Sequence, residues 1–263
     1  MTRQAIGFLV ALLLVAPARA AEPGVESFSL DDTTYGLQRR IWMYKSPDLS
    51  DSGKHPYNLF LFLQKDYVDE APVPATLQKL VASGEIPPTI AIVLDTSTER
   101  PADIANSSKF DRFVTVNLLP WLRAKLGRLP EPKNVVIAGF SVGGLAAAYV
   151  AYRHPDVFGN VLAQSGAFWR GNEGANEPAE WLTNELRNKP RLPLRFYVEV
   201  GSEETRRSPN GVIFVEANRH LRDVLAKKGY VFRYSEVPRN IHDPEHLRPT
   251  LAAGIVYLSE PTR

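Results

Sequence analysis

No cysteine occurs among the 263 residues. That absence excludes disulfides, Cys-ligated zinc, lipid attachment through Cys and any thiol nucleophile, so the chain must be held together by its core and not by crosslinks. Charge of one sign is also missing: Lys plus Arg number 31 against 29 Asp plus Glu. With Arg3 and Arg19 set aside in an apparent leader, 29 of each sign remain, and no nucleic-acid footprint is expected. Beyond that leader no apolar run approaches the roughly 20 residues of a spanning helix, so no membrane insertion of the mature chain is expected. Histidines number five, and no repeated carboxylate–His spacing suggests a metal site. No P-loop or dinucleotide fingerprint follows a strand. Neither metal nor cofactor is expected.

Arg3 precedes the apolar run Ile6 to Val15, and Ala18-Arg19-Ala20 places small residues where a signal peptidase reads them. The expectation is a signal peptide over 1–20, cleavage before Ala21 and a periplasmic or secreted product, with 21–263 as one domain. An apolar content of 44% over this length suffices for one substantial core. Glu26 to Asp32 and Leu37 to Met43 alternate roughly and read as an N-terminal hairpin. Tyr57 to Leu63, Thr89 to Leu94 and Asn134 to Ala138 are nearly continuously apolar, as suits central parallel strands covered on both faces. Asn160 to Gln164, Leu194 to Val200 and Val231 to Glu236 read as further strands. Helical patterns fall at Pro74 to Ala82, Phe110 to Leu126, Val142 to Tyr152, Ala179 to Arg187, Val212 to Lys228 and Leu247 to Leu258. Strands alternating with helices predict an α/β protein, a mostly parallel sheet flanked by helices with an antiparallel hairpin at its start.

Gly139-Phe140-Ser141-Val142-Gly143-Gly144 lies between a buried strand and the small-residue helix that opens with Leu145-Ala146-Ala147-Ala148. Strand, sharp turn and helix are the context of a nucleophile elbow, which would present Ser141 at the carboxyl edge of the sheet. A serine hydroxyl needs a neighbouring base. His242 follows the final strand and can reach that edge; His246, a turn later, is its competitor. His55 lies at the wrong end of a strand, His154 at a helix terminus and His220 in a charged helical stretch. For the acid that orients the base, the loop after Phe196 to Gly201 offers Glu204 and, less favoured, Glu203; Glu199 sits inside the strand, and Asp243 and Asp95 are poorer substitutes. The order Ser, acid, His matches an α/β-hydrolase fold.

An attacked carbonyl also needs oxyanion donors. The Val142 backbone N–H is one candidate, and Lys65, with Gln64 beside it, follows the strand expected to supply the second. Trp169 is a candidate for stacking on a substrate, while Arg170, Arg206 and Arg207 are candidates for pairing with anionic oxygens.

These residues resemble the bacterial enterochelin-esterase-like branch of the esterase family within the α/β-hydrolases, over nearly the whole chain after the leader. The resemblance is carried by Asn117-Leu118-Leu119-Pro120-Trp121, Val136 to Leu145, His154-Pro155-Asp156-Val157-Phe158-Gly159, Ser165-Gly166-Ala167-Phe168-Trp169 and Asn240-Ile241-His242-Asp243. It implies Ser-dependent hydrolysis of carboxylic esters, with siderophore lactones, feruloylated saccharides and small acyl esters as substrate classes and a small-molecule ester as partner. Acyl transfer by the same serine, or ligand binding without catalysis, are the alternatives. The sequence departs from the family pattern at Gln64-Lys65, at Asn117 and at Asn240-Ile241.

Overall fold

In a computed structural model, the structure describes residues 24–49, 56–64, 66–69, 72–96, 104, 107–172, 178–243 and 247–261. The segment 1–20, Lys65, His55 and His246 lie outside these residues. Eight strands form one sheet in the order β1-β2-β4-β3-β5-β6-β7-β8. β1 (Val25–Asp32) and β2 (Leu37–Lys45) make the hairpin, and β2 runs antiparallel to β4 (Thr89–Leu94). All other neighbours are parallel: β3 (Asn58–Phe62), β5 (Val135–Phe140), β6 (Asn160–Gln164), β7 (Arg195–Gly201) and β8 (Val231–Val237).

Every residue of β3 to β7 is buried, whereas the edge strand β8 is half-exposed. The apolar runs are continuous because helices cover both faces, leaving no side on which a polar residue would meet water. On one face pack α3 (Ser107–Phe113), α5 (Val142–Arg153), α6 (Trp181–Asn188) and α7 (Phe214–Lys227), contributing Phe110, Leu145, Leu182 and Leu221 to the core. On the other, α2 (Val73–Ala82) and α8 (Leu247–Ser259) contribute Leu77 and Ile255. A short helix, α1 (Asp66–Asp69), follows β3.

The single helix expected over Phe110 to Leu126 is interrupted: a π-turn over Val114–Leu118 separates α3 from α4 (Leu119–Leu126). Leu119 N–H bonds to the carbonyl of Val114, five residues back. Pro120 cannot donate to the preceding turn, and the wider turn takes up the mismatch. Asn117 on this turn donates to Thr33 Oγ1 at 2.9 Å and to the Asp31 carbonyl at 3.1 Å, and accepts from Thr34 Oγ1 at 3.1 Å. The π-turn thereby latches the tip of the hairpin.

Candidate active site

β5 delivers Ser141 to the carboxyl edge, and the turn there is sharp: Ser141 has φ 55° and ψ −119°. A non-glycine residue held in such a region costs on the order of 1–3 kcal/mol and persists only where its surroundings enforce it. Ser141 N–H donates to the Gln164 carbonyl at 2.9 Å, and the Ser141 carbonyl accepts from Ala167 N–H at 2.8 Å. Glycine is required at Gly139, since a Cβ there would overlap the Gly143 backbone carbonyl, and a Cβ on Gly143 would displace the Gln64 amide. Gln64 Oε1 in turn accepts Phe140 N–H at 2.8 Å, tying the segment after β3 to the elbow. Val142 opens α5, so its N–H has no acceptor within the helix.

His242 comes from the loop after β8. Its Nε2 lies 2.8 Å from Ser141 Oγ and its Nδ1 lies 2.6 Å from Glu204 Oε2. Glu204, on the loop after β7, is 3% exposed. Its second oxygen accepts Ser165 Oγ–H at 2.5 Å and Gly201 N–H at 2.8 Å. Burial pushes the Glu204 carboxyl up, but the hydrogen bonds from His242, Ser165 and Gly201 outweigh it and hold the group below the ordinary carboxylate value. Glu203, the less favoured acid, is exposed on the same loop. The His242 ring is clamped between Phe140, stacked at 4.8 Å, and Phe214, edge-on at 5.4 Å. A hydroxyl, an imidazole and a carboxylate are thus hydrogen-bonded in series.

The rim candidates fall in two places. Trp169 is buried at 6% and packs on Phe214 at 5.3 Å, one ring removed from His242. So little of its surface is open that it shapes the site as a backing for Phe214 and not as a platform a substrate could stack on. Arg170 covers the Trp169 ring at 5.2 Å, and burial draws its guanidinium pKa down. Arg206 is exposed and covers Phe214 at 4.9 Å. Arg207 is exposed as well and donates to the Gly211 carbonyl. His154 and His220 are spoken for elsewhere, by Asp111 and Glu180, each at 2.6 Å.

Three contributors were not singled out from sequence: Ser165, Phe140 and Phe214. The first two stand inside the quoted motifs, and Phe214 opens the helix after the acid loop. Among the described residues no group of three or more His, Asp or Glu side chains could hold a metal ion, and no helix is long and apolar enough to cross a membrane. A cleft of about 390 Å³ lined by Tyr57, Asn58, Lys133, Asn134 and Ser259 lies at the amino edge of the strands, away from Ser141.

A strained serine turn at the carboxyl edge of a mostly parallel sheet, with histidine and acid from the two loops that follow, defines an α/β-hydrolase fold. The chain belongs to the esterase family described as Putative esterase, which matches residues 37–258. It is 34% identical to the iron(III) enterobactin esterase of Dickeya dadantii over 206 residues, which are 73% of this chain and 45% of that protein. It is 28% identical to the iron(III) enterobactin esterase of Escherichia coli O6:H1 over 229 residues, 85% and 54% of the two chains. The chain therefore spans about half the length of these curated relatives. The crystal structure of the enterobactin esterase from Shigella flexneri in the presence of enterobactin superposes with a TM-score of 0.75 at 24% identity, covering 91% of this chain and 60% of that one. At that identity the likeness is one of fold.

Proposed function

We propose that this chain is a serine hydrolase of carboxylic esters, working through an acyl-enzyme, and that siderophore esters are its substrate class. The observation that carries the reading is the series Ser141 Oγ, His242 Nε2, His242 Nδ1, Glu204 Oε2, with links of 2.8 and 2.6 Å. Both lie within the roughly 2.6–3.2 Å reach of proton transfer. His242 takes the Ser141 proton as Oγ attacks the ester carbonyl, forming the C–O bond of a tetrahedral intermediate. Val142 N–H, which opens the helix and has no acceptor within it, is the donor this reading assigns to the oxyanion; Gln64 and Lys65 lie on the segment expected to complete the hole. Collapse expels the alcohol, which takes the proton from His242. Water, deprotonated by the same ring, then attacks the acyl-enzyme, and the acid is released as Ser141 recovers its proton. Glu204 fixes the ring tautomer and stabilises the imidazolium that forms transiently.

The siderophore class comes from the relatives named above, and Arg206, which covers the Phe214 ring that packs on His242, suits an anionic, oxygen-rich ester. The decisive experiment is a panel of siderophore lactones, feruloyl sugars and short acyl esters, run with the protein and with Ser141→Ala. The expected result is hydrolysis that falls by at least about 10³-fold in the variant, with fluorophosphonate attachment at Ser141 alone. Labelling of another residue with equal efficiency would contradict the assignment. We further propose export to the periplasm or medium, from the leader-like pattern of residues 1–20. A mature N-terminus at Ala21 is expected, and an intact Met1 on cytoplasmic protein would overturn it.

A further inference from the structure

Beneath the Ser141–His242–Glu204 series lies a second buried carboxyl that the proposed reaction does not use. Glu199 stands on β7, 3% exposed, in register with Gln164 of β6 and Ser235 of β8. Its Oε1 accepts Thr250 Oγ1–H from α8 at 2.7 Å and Gln164 Nε2–H at 3.3 Å, while its Oε2 is buried with no hydrogen-bond partner. Gln164 Oε1 accepts the Tyr67 hydroxyl from α1 at 3.0 Å. One polar chain thus runs from the segment after β3, across β6 and β7, to the helix that follows the His242 loop.

The backbone of these same residues supports the reacting groups. The Gln164 carbonyl holds Ser141 N–H at 2.9 Å, and the Glu199 carbonyl holds Ser165 N–H at 2.7 Å. Ser165 Oγ in turn binds Glu204. No Lys or Arg among the described residues pairs with Glu199. The titratable groups around it are Glu204, Tyr67 and Tyr197, with Asp66 beside Tyr67 and Arg233 beside Tyr197. A carboxylate with one orphan oxygen in a dry site is costly, whereas a neutral carboxyl is far less so.

We infer that Glu199 is a positioning residue whose proton keeps the His242 ring the better base, and that losing this proton is felt by His242 through Glu204. Burial, reinforced by Glu204 and opposed by Thr250 and Gln164, pushes the Glu199 carboxyl up to about 7. Ionised Glu199 places a second negative charge under the Glu204–imidazole pair. That charge favours imidazolium, which cannot accept the Ser141 proton. A coupling of half a pH unit would change the fraction of free base by roughly three-fold where the ring is mostly protonated.

The kinetic consequence rests on the hydrolase reading, but the coupling itself does not, so the test begins without substrate. The His242 ring is titrated by NMR in the full chain, alongside the infrared band of protonated carboxyl, for wild type, Glu199→Gln and Thr250→Val. The wild-type His242 signal is expected to carry an inflection that coincides with loss of a carboxyl band, and Glu199→Gln is expected to lack both that inflection and that band. Thr250→Val removes a hydrogen bond to the charged form, so the inflection shared with the carboxyl band should move to higher pH. In kcat/KM, the ratio of Glu199→Gln to wild type should rise as Glu199 loses its proton, by no more than roughly three-fold. A Glu199 band already lost in mild acid, or identical His242 titrations in wild type and Glu199→Gln, would overturn the inference. Should no ester be hydrolysed, the titrations still decide it; should Glu199→Gln fail to fold, the wild-type band and Thr250→Val do so.

Discussion

Ser165 shows how much of the site hangs on a residue that contributes no reacting atom. Its φ of 47° puts a non-glycine residue in the left-handed region, and that turn aims its hydroxyl at Glu204 Oε1. A hydrogen bond to a charged group contributes about 1.5–3 kcal/mol. Ser165→Ala should therefore cost roughly 10- to 100-fold in kcat/KM, chiefly through kcat, because Glu204 loses one of the anchors that fix the imidazole. The same bond helps hold the Glu204 carboxyl down, so its removal should raise that carboxyl's pKa. Steady-state kinetics and a carboxyl titration check both, and an unchanged kcat would show that Gly201 N–H alone suffices. Sequence pattern reached Ser141, His242 and Glu204 because chemistry restricts which residue types can fill those places. Ser165 was out of reach because a hydroxyl on the residue just past the end of a strand looks like any turn serine until β6 and β7 are aligned.

At the scale of elements, strand and helix positions were legible to within a few residues, since continuous apolar runs and helical periodicity are properties of the local chain. The exceptions arise where distant elements meet. The break within 110–126 follows from Pro120, but the latch from Asn117 to the hairpin tip joins positions 83 to 86 residues apart. The hairpin hides a second such feature. Asp32 and Arg39 are each 1% exposed and pair at 2.6 Å, where alternation alone would leave two strand-end charges in solvent. Asp32 Oδ1 also accepts the Thr34 and Tyr35 N–H groups at 3.0 Å each, and the Arg39 guanidinium lies over Phe113 at 4.8 Å. Removing one partner strands a buried charge, a loss of about 3–5 kcal/mol. Asp32→Ala should therefore lower the urea midpoint steeply, whereas joint replacement of both residues by apolar ones of similar size should cost much less. Equal losses in the single and double variants would show that the turn hydrogen bonds, and not the ion pair, set the stability.

For the molecule as a whole, the helices laid over the two faces of the sheet decide which strand residues are cut off from water, and that packing is invisible to local pattern. Glu199 stands among apolar residues in Tyr197-Val198-Glu199-Val200, and β7 has no wet face because α7 packs on one side of it and α8 on the other. Two carboxyls in neighbouring positions are consequently driven apart: Glu204 lies below its ordinary value and Glu199 is raised to about 7. Their contributions to folding have opposite signs. The stability from Glu204 is present above its unfolded pKa and is lost as pH falls through its lowered folded value. The stability from Glu199 is present below its unfolded value near 4.5 and is lost as pH rises to about 7, beyond which it changes no further. Urea unfolding across this range should show Glu199→Gln gaining on wild type between these two points, by on the order of 2–3 kcal/mol, and then running parallel to it. Glu204→Gln should do the reverse, matching wild type best in acid and falling behind as the wild-type carboxylate ionises against His242, Ser165 and Gly201. A constant offset for Glu199→Gln over the whole range would mean that Glu199 ionises in the fold as readily as in the unfolded chain, contrary to its buried and unpartnered oxygen.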